Sequence, residues 1–148
     1  MISDKNIEKI YLDILKIRII EETISKKYKD QEMRCPIHLS IGQEAIAVGV
    51  CQNLNDKDQI VSNHRCHAHY LAKGGDVNKM INEFYGNSHG CSGGRGGSMH
   101  LFDQKKGILS SVPIVSSAIP VGVGAGFSFK YNKEKNIAVI FLGDAAIE

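Results

Sequence analysis

Two segments of the chain carry residue types whose spacing could support chemistry. The first, residues 86–100, is a glycine-dense stretch that sets one arginine and two histidines among groups too small to shield them. The second is the pair Gly143-Asp144, which follows an apolar, strand-like run. Because open α/β sheets bind ligands beyond the carboxyl ends of their strands, a carboxylate is well placed there. Together these features favour a cytoplasmic domain that holds a phosphorylated, metal-bridged cofactor.

Asp144 is the candidate metal ligand. Its carboxylate can supply one hard oxygen to Mg²⁺, which usually takes one or two carboxylates together with substrate phosphates. The alternative is that Asp144 only caps a following helix. Arg65 is a candidate phosphate contact, because it follows a predicted strand and precedes a predicted helix, where a guanidinium can meet a phosphate. An ordinary surface arginine is the alternative, and the residues alone leave both choices open.

Two further motifs allow several interpretations. The GGRGG run at 93–97 could be a flexible linker or a single RNA-binding element, but such elements work by repetition and strong positive charge. We favour a backbone that runs close to a ligand or partner, with no room for a Cβ. The cluster Cys66, His67 and His69 could bind zinc, although its spacing matches no common finger or ribbon.

Composition limits the class of protein. The 148 residues, 43% hydrophobic and 23% charged, are enough for one domain with a sizeable core. A net charge of +2, without blocks of like charge, argues against nucleic acid or an anionic membrane as the main partner. No apolar run approaches a membrane span, and the first residues do not resemble a secretory signal. Four widely spaced cysteines without a CxxC pair favour free thiols in a cytoplasmic, reducing compartment.

Hydrophobic periodicity predicts an α/β fold. Helices are expected at 4–29 with Ser3 as N-cap, 42–54, 66–73, 77–85 with Asp76 as N-cap, and 120–131. Strands are expected at 59–62 and 137–142, and residues 86–117 are expected to form an ordered loop without a regular element. A helix that leads into an unbroken apolar strand fits a parallel sheet covered on both faces.

A glycine series, Gly122-Val-Gly124-Ala-Gly126, lies within the last of these predicted helices. It is not a dinucleotide fingerprint, because no strand precedes it and the interval is wrong. Helical glycines cost about 1 kcal/mol each relative to alanine. We therefore expect this helix to pack closely against another helix or against the glycine-rich loop.

Several motifs in order resemble the alpha subunit of a thiamine diphosphate-dependent 2-oxo acid dehydrogenase of the pyruvate or acetoin type. The resemblance begins near residue 10 and covers the amino-terminal portion of such a subunit. It is carried by HLSIGQEA at 38–45, NHRCH at 63–67, GGRGGSMHL at 93–101, IVSSAIP at 114–120 and Gly143-Asp144. The implied fold is an α/β thiamine diphosphate-binding fold, with a parallel sheet flanked by helices, of which residues 1–148 form an incomplete, N-terminal part of a single domain.

The resemblance also implies residue roles. Asp144 would bind Mg²⁺, and His38 would face the substrate carboxylate or the reaction intermediate. The remaining implied contacts with thiamine diphosphate are His64 and Arg65 at the diphosphate, the backbone at Pro113 and Val115 at the aminopyrimidine, and Ala145 and Ala146 along the diphosphate. Three of these positions depart from the family pattern, which usually has tyrosine at 64, glycine at 113 and glycine at 145.

The implied activity is decarboxylation of a 2-oxo acid, or cleavage of acetoin, with transfer of the acyl group to a lipoyl-bearing acyltransferase. The implied assembly is a heterotetramer with a beta subunit, which supplies the glutamate that activates the cofactor. The departures at Pro113 and Ala145 motivate an alternative, a truncated or degenerate subunit that keeps the fold and interfaces without catalysis.

Overall fold

The computed structural model describes residues 4–148. The Ser3 cap lies outside the described residues. The helices are α1 (Asp4–Tyr28), α2 (Glu44–Cys51), α3 (His67–Ala72), α4 (Val77–Phe84) and α5 (Ala118–Tyr131). The strands are β1 (Gln59–Ser62), β2 (Ile108–Ser111) and β3 (Ala138–Ile140). Short 3₁₀ turns lie at Gly97–Met99, Gln104–Lys106 and Asp144–Ile147.

The strands form one parallel sheet in the order β2-β1-β3. Ile60 of β1 pairs with Ile108 of β2 on one side and with Val139 of β3 on the other. The central strand is therefore hydrogen-bonded along both edges, and its Ile60 and Val61 are fully buried. The expected α/β class with a helix-flanked parallel sheet is confirmed, and parallel pairing brings all three carboxyl ends to one edge of the sheet.

The helix predictions are confirmed with shifted boundaries. α2 starts at Glu44 rather than 42, because Gly42 adopts a φ of +90° that no helix accommodates. α5 starts two residues before Pro120, which falls in the first turn, where its missing N–H costs no intrahelical bond. The Asp76 cap is present, since its side chain accepts a hydrogen bond from the Lys79 amide.

The loop prediction for 86–117 is wrong in one respect, because it missed β2. Only four residues long, β2 buries Ile108 and Ser111 but exposes Leu109, so neither a polar alternation nor an apolar run marks it in the sequence. The predicted strand 137–142 is also shorter than expected, and the flanking Ile137 and Leu142 are exposed.

The main hydrophobic core lies between the sheet and the surrounding helices. Its largest fully buried side chains come from β1, β2, α3, α4 and the loop before β2: Ile60, Ile108, Tyr70, Met80, Phe84 and Leu101. A second cluster joins α1 to α2 and α3 through Ile17, Ala47, Val48 and Ala68. No helix in the described part of the chain is long and apolar enough to cross a membrane.

The glycine-rich segment is folded around a buried carboxylate of its own chain. Glu83 of α4 accepts backbone N–H bonds from Ser92 and Gly94 at Oε2, at 2.7 and 2.9 Å, and from Gly96 and Gly97 at Oε1, at 2.7 and 3.1 Å. The linker interpretation is therefore wrong. The close backbone approach that we expected is present, but the group approached in this structure is Glu83 rather than an external ligand.

The Gly122 position explains part of the glycine series in α5. A Cβ on Gly122 would overlap the side chain of Ile140 in β3, whereas a Cβ on Gly124 would meet nothing within 4 Å. The close packing that we expected therefore occurs at Gly122. Its partner is a strand of the sheet, and not another helix or the glycine-rich loop.

The amino-terminal edge of the sheet is held by a second buried carboxylate. Asp58 accepts bonds from the Asn55 amide N–H at 2.9 Å and from the Ile137 N–H at 3.0 Å. These contacts join the turn before β1 to the segment before β3. This edge lies at the opposite end of the strands from the one where ligands bind in open α/β sheets.

Candidate functional site

A cavity of about 160 Å³ lies at the carboxyl ends of the three strands. One segment after each strand lines it: 63–64 after β1, 112–116 with Ala118 after β2, and 142–146 after β3. The order of the sheet produces this convergence, because β1 lies between the other two strands. Six of the residues that the resemblance placed at the cofactor line the cavity: His64, Pro113, Val115, Asp144, Ala145 and Ala146.

Asp144 is exposed at the edge of this cavity, as the first residue of the 3₁₀ turn Asp144–Ile147. The N-cap residue of that turn is Gly143, and no side-chain capping bond is formed there. The alternative in which Asp144 only caps a helix is therefore not supported. Asp144 is also the only acidic residue among the described residues that line the cavity.

Ala145 fits its position without backbone strain. Among the described residues, only Gln31, Ser116 and Lys133 combine a side chain with positive φ. A glycine at position 145 would therefore gain no steric advantage in this backbone conformation. The departure from the family pattern at 145 leaves the local geometry of the turn intact.

Ser116 is a site residue that the sequence reasoning missed. It adopts a left-handed φ of +69°, and its Oγ donates a 2.7 Å hydrogen bond to the carbonyl oxygen of Ala146. This bond joins the segment after β2 to the turn after β3, across the cavity wall. No periodicity or spacing marks such a serine, although strained conformations of this kind concentrate at functional sites.

His38 and His64 lie against each other, with ring centroids 5.1 Å apart and the rings nearly perpendicular. The Nδ1 atom of His38 is buried and has no hydrogen-bond partner within residues 4–148. Burial, followed by the nearby His64 and the positive charge of Arg65, lowers the pKa of His38 below its usual value. The His38 ring is therefore neutral at neutral pH and keeps one nitrogen able to accept a proton.

Arg65 does not line the cavity. Its side chain is exposed, and Nη1 donates a 2.8 Å hydrogen bond to the Leu39 carbonyl oxygen. The guanidinium thus contacts the segment that carries His38 and retains further N–H donors. Contact between Arg65 and a phosphate stays a prediction.

Cys66, His67 and His69 do not converge on a common point. Their partners differ: His67 Nδ1 lies 2.6 Å from Glu21 Oε1, His69 Nδ1 lies 2.7 Å from Ser62 Oγ, and the Cys66 thiol donates to the Ser98 carbonyl. Burial lowers the pKa of His69 to about 4 and raises that of Cys66 to about 12. No group of three potential metal ligands occurs among the residues described, so the zinc interpretation is not supported.

A wider groove of about 640 Å³ lies between α1 and the start of α4. Aliphatic side chains of α1, including Leu12, Leu15 and Ile19, form much of its wall. No predicted site residue lines it, so we place the candidate site at the strand ends.

Comparison with known proteins places the chain in a family. The family described as "Dehydrogenase E1 component" matches residues 13–148. The alpha subunit of acetoin:2,6-dichlorophenolindophenol oxidoreductase from Bacillus subtilis (strain 168) is 39% identical over 137 residues, which are 93% of this chain and 41% of that protein. The mitochondrial pyruvate dehydrogenase E1 component subunit alpha of Chaetomium thermophilum is 37% identical over 145 residues, or 98% of this chain and 35% of the relative.

A third relative is the pyruvate dehydrogenase E1 component subunit alpha of Rickettsia bellii, 38% identical over 139 residues. The chain spans 35–43% of the length of these three relatives. The family resemblance inferred from the motifs is confirmed. With a matching family over nearly its whole length and the expected strand-end cavity in its fold, the chain belongs to the dehydrogenase E1 component family.

Proposed function

We propose that this chain is the amino-terminal part of the alpha subunit of a thiamine diphosphate-dependent dehydrogenase. The complete enzyme decarboxylates a pyruvate-like 2-oxo acid, or cleaves acetoin, and passes the acyl group to a lipoyl-bearing acyltransferase. The observation that carries the proposal is the strand-end cavity, where segments after β1, β2 and β3 bring six implied cofactor residues together. The printed names of the relatives, pyruvate dehydrogenase and acetoin oxidoreductase alpha subunits, support the substrate class.

The donor chemistry of the cavity fits a magnesium-bridged diphosphate. Asp144 offers an exposed carboxylate that is not used for capping, and Mg²⁺ is usually bound by one or two carboxylates together with phosphate oxygens and water. Ala145 and Ala146 line the same wall without side chains that would crowd a phosphate. His64 and Arg65 would approach the diphosphate from the β1 side, where Arg65 supplies positive charge.

The other implied residues would hold the rest of the cofactor and the substrate. The backbone at Pro113 and Val115 would meet the aminopyrimidine ring. Half-buried His38 would face the substrate carboxylate, where a neutral imidazole can donate a hydrogen bond or exchange a proton. Thiamine diphosphate itself supplies the carbon nucleophile that adds to a 2-oxo carbonyl.

The remainder of the alpha subunit and a beta subunit would complete the proposed site. The chain covers 41% and 35% of the Bacillus and Chaetomium relatives. By the family resemblance, the remainder of the subunit would supply further metal ligands and the rest of the sheet. A beta subunit would close the cavity within a heterotetramer. We also propose a cytoplasmic location, which rests on the cysteine pattern of the sequence.

The non-catalytic alternative is not favoured. One reason for considering it was Ala145, but the backbone conformation at this position does not require glycine. The RNA-binding alternative is also not favoured, because the glycine-rich segment is folded around Glu83 and the net charge is only +2.

Calorimetric titration tests the proposal. The complete alpha subunit, assembled with its beta partner, should bind thiamine diphosphate only when Mg²⁺ is present. Asp144→Ala should weaken that binding at least about tenfold, the lower end of losses for residues at metal sites. Asp30→Ala is the matched control, since Asp30 is an exposed carboxylate that pairs with Lys27 of α1 and does not line the strand-end cavity. Equal binding by the two variants would show that the metal assignment is wrong.

A further inference from the structure

We propose that Glu21 of α1 is a positioning residue, which holds the segment carrying His38 against the segment carrying Arg65. This inference rests on the proposed function, because it assigns Glu21 a role through residues placed at the substrate and the diphosphate. Glu21 is 0% exposed and lies outside the strand-end cavity. It would therefore act without touching substrate or cofactor.

The contacts of Glu21 reach both segments at equivalent places. Its Oε2 accepts a hydrogen bond from the backbone N–H of Ser40, two residues after His38. Its Oε1 lies 2.6 Å from Nδ1 of His67, two residues after Arg65. One carboxylate thus fixes a loop amide on one side and the first residue of α3 on the other.

Two direct bonds complete the connection between the segments. Ser40 Oγ donates to the Arg65 carbonyl oxygen at 3.3 Å, and Arg65 Nη1 donates to the Leu39 carbonyl oxygen at 2.8 Å. The Ser40–Arg65 bond is partly buried and the Arg65–Leu39 bond is exposed, so water competes with both. Both Glu21 contacts are buried, so water does not compete with them, and they set the separation of the two segments.

The location of α1 itself depends on other contacts. Arg18 forms a bidentate pair with Glu44 of α2, at 2.6 and 3.1 Å. Ile17 and Ile24 bury the same helix in the two hydrophobic clusters. Loss of Glu21 should therefore leave α1 in place while releasing Ser40 and His67.

The experiment compares Glu21→Ala, Glu21→Gln and Asp58→Asn in the complete subunit assembled with its partner. Asp58 is a matched control, because it is also a buried carboxylate that accepts a backbone N–H, but at the opposite end of the sheet. Thiamine diphosphate affinity is measured by calorimetry with Mg²⁺, and KM and kcat are measured separately. Unfolding temperature and hydrogen exchange of the Ser40 amide are recorded for each variant.

Glu21→Ala should raise the dissociation constant for thiamine diphosphate and the KM for the 2-oxo acid by about tenfold or more, the usual loss when a supporting group of a cofactor site is removed. Exchange of the Ser40 amide should accelerate in the same variant. Glu21→Gln should recover part of the affinity, because its amide oxygen still accepts from Ser40 and its amide nitrogen can donate to the other tautomer of His67. Asp58→Asn should lower the unfolding temperature with little change in affinity or KM.

Unchanged affinity and KM in folded Glu21→Ala, or in Glu21→Gln if the alanine variant does not fold, would overturn the positioning role. Affinity losses in Asp58→Asn that match those in Glu21→Ala would overturn it too, because general destabilisation would then account for both. Failure of the wild-type assembly to bind thiamine diphosphate is a distinct result, which would refute the proposed function itself.

Discussion

The Ser116 hydroxyl donates a 2.7 Å hydrogen bond to the carbonyl oxygen of Ala146, thirty residues further along the chain. The bond crosses from the segment after β2 to the turn after β3, and these segments line the candidate cofactor cavity. Ser116 adopts a φ of +69°, a left-handed conformation that is unfavourable for residues with a Cβ atom. Substitutions of Ser116 can separate the contribution of this hydrogen bond to stability from the cost of the positive φ.

Ser116→Ala should destabilise the protein by about 1 kcal/mol, the typical worth of one hydrogen bond, because the strain stays and the bond is lost. Ser116→Gly should be closer to neutral, since glycine relieves about 1 kcal/mol or more of left-handed strain. Urea unfolding of the complete subunit measures both changes. Equal destabilisation by the two variants would show that the positive φ is not a source of strain.

Glu83→Gln should loosen the glycine-rich segment. A glutamine offers one acceptor oxygen, while Glu83 accepts four backbone N–H groups with two oxygens. At least one pair of amides would lose its acceptor, at a cost of about 3 kcal/mol. Urea unfolding measures the cost, and faster tryptic cleavage after the exposed Arg95 reports the loosened loop. The exposed Glu32→Gln serves as the control, and the prediction is wrong if both variants match the wild type.

Gly122→Ala and Gly124→Ala should have opposite effects on stability. The added methyl at 122 would overlap Ile140, and overpacking of this kind costs about 1–3 kcal/mol. The methyl at 124 meets nothing within 4 Å, so the helix should gain up to about 1 kcal/mol from the higher helix propensity of alanine. Thermal unfolding of the two variants tests the difference. A loss of stability at 124 equal to that at 122 would contradict the close packing of Gly122 against Ile140.

His69 should make the protein less stable in acid. Burial lowers the pKa of His69 in the folded state from 6.5 to about 4, so the unfolded chain binds a proton that the folded chain excludes. Stability is therefore complete above pH 6.5 and falls as the pH decreases toward 4, by up to about 3 kcal/mol. Urea unfolding between pH 7 and 4.5 measures the slope.

His69→Gln should flatten that slope, because it removes the titrating ring while keeping a polar group near Ser62. The stacking of the ring on Phe141 would also be lost, which lowers stability at every pH without changing its pH dependence. A slope in His69→Gln as steep as in the wild type would assign the acid sensitivity to other groups.

The helices, the central strand and the family can be recognised from local patterns in the sequence. The helical period of α1 and the apolar run that contains β3 are local patterns, and each residue contributes to them through its own side chain. The motifs around His38 and Asp144 are local in the same sense. Such patterns can be recognised in the sequence because they arise from interactions between residues that are close together along the chain.

The way in which these segments come together depends on contacts that form only in the folded chain. β2 lacked a pattern because β1 and the core dictate its pairing and burial, and its position brings Pro113 and Ser116 toward Asp144. Glu21 and Glu83 look like ordinary charged helix residues in the sequence, yet both are buried. Most of their partners are backbone amides, which every residue except proline carries and no residue type reveals.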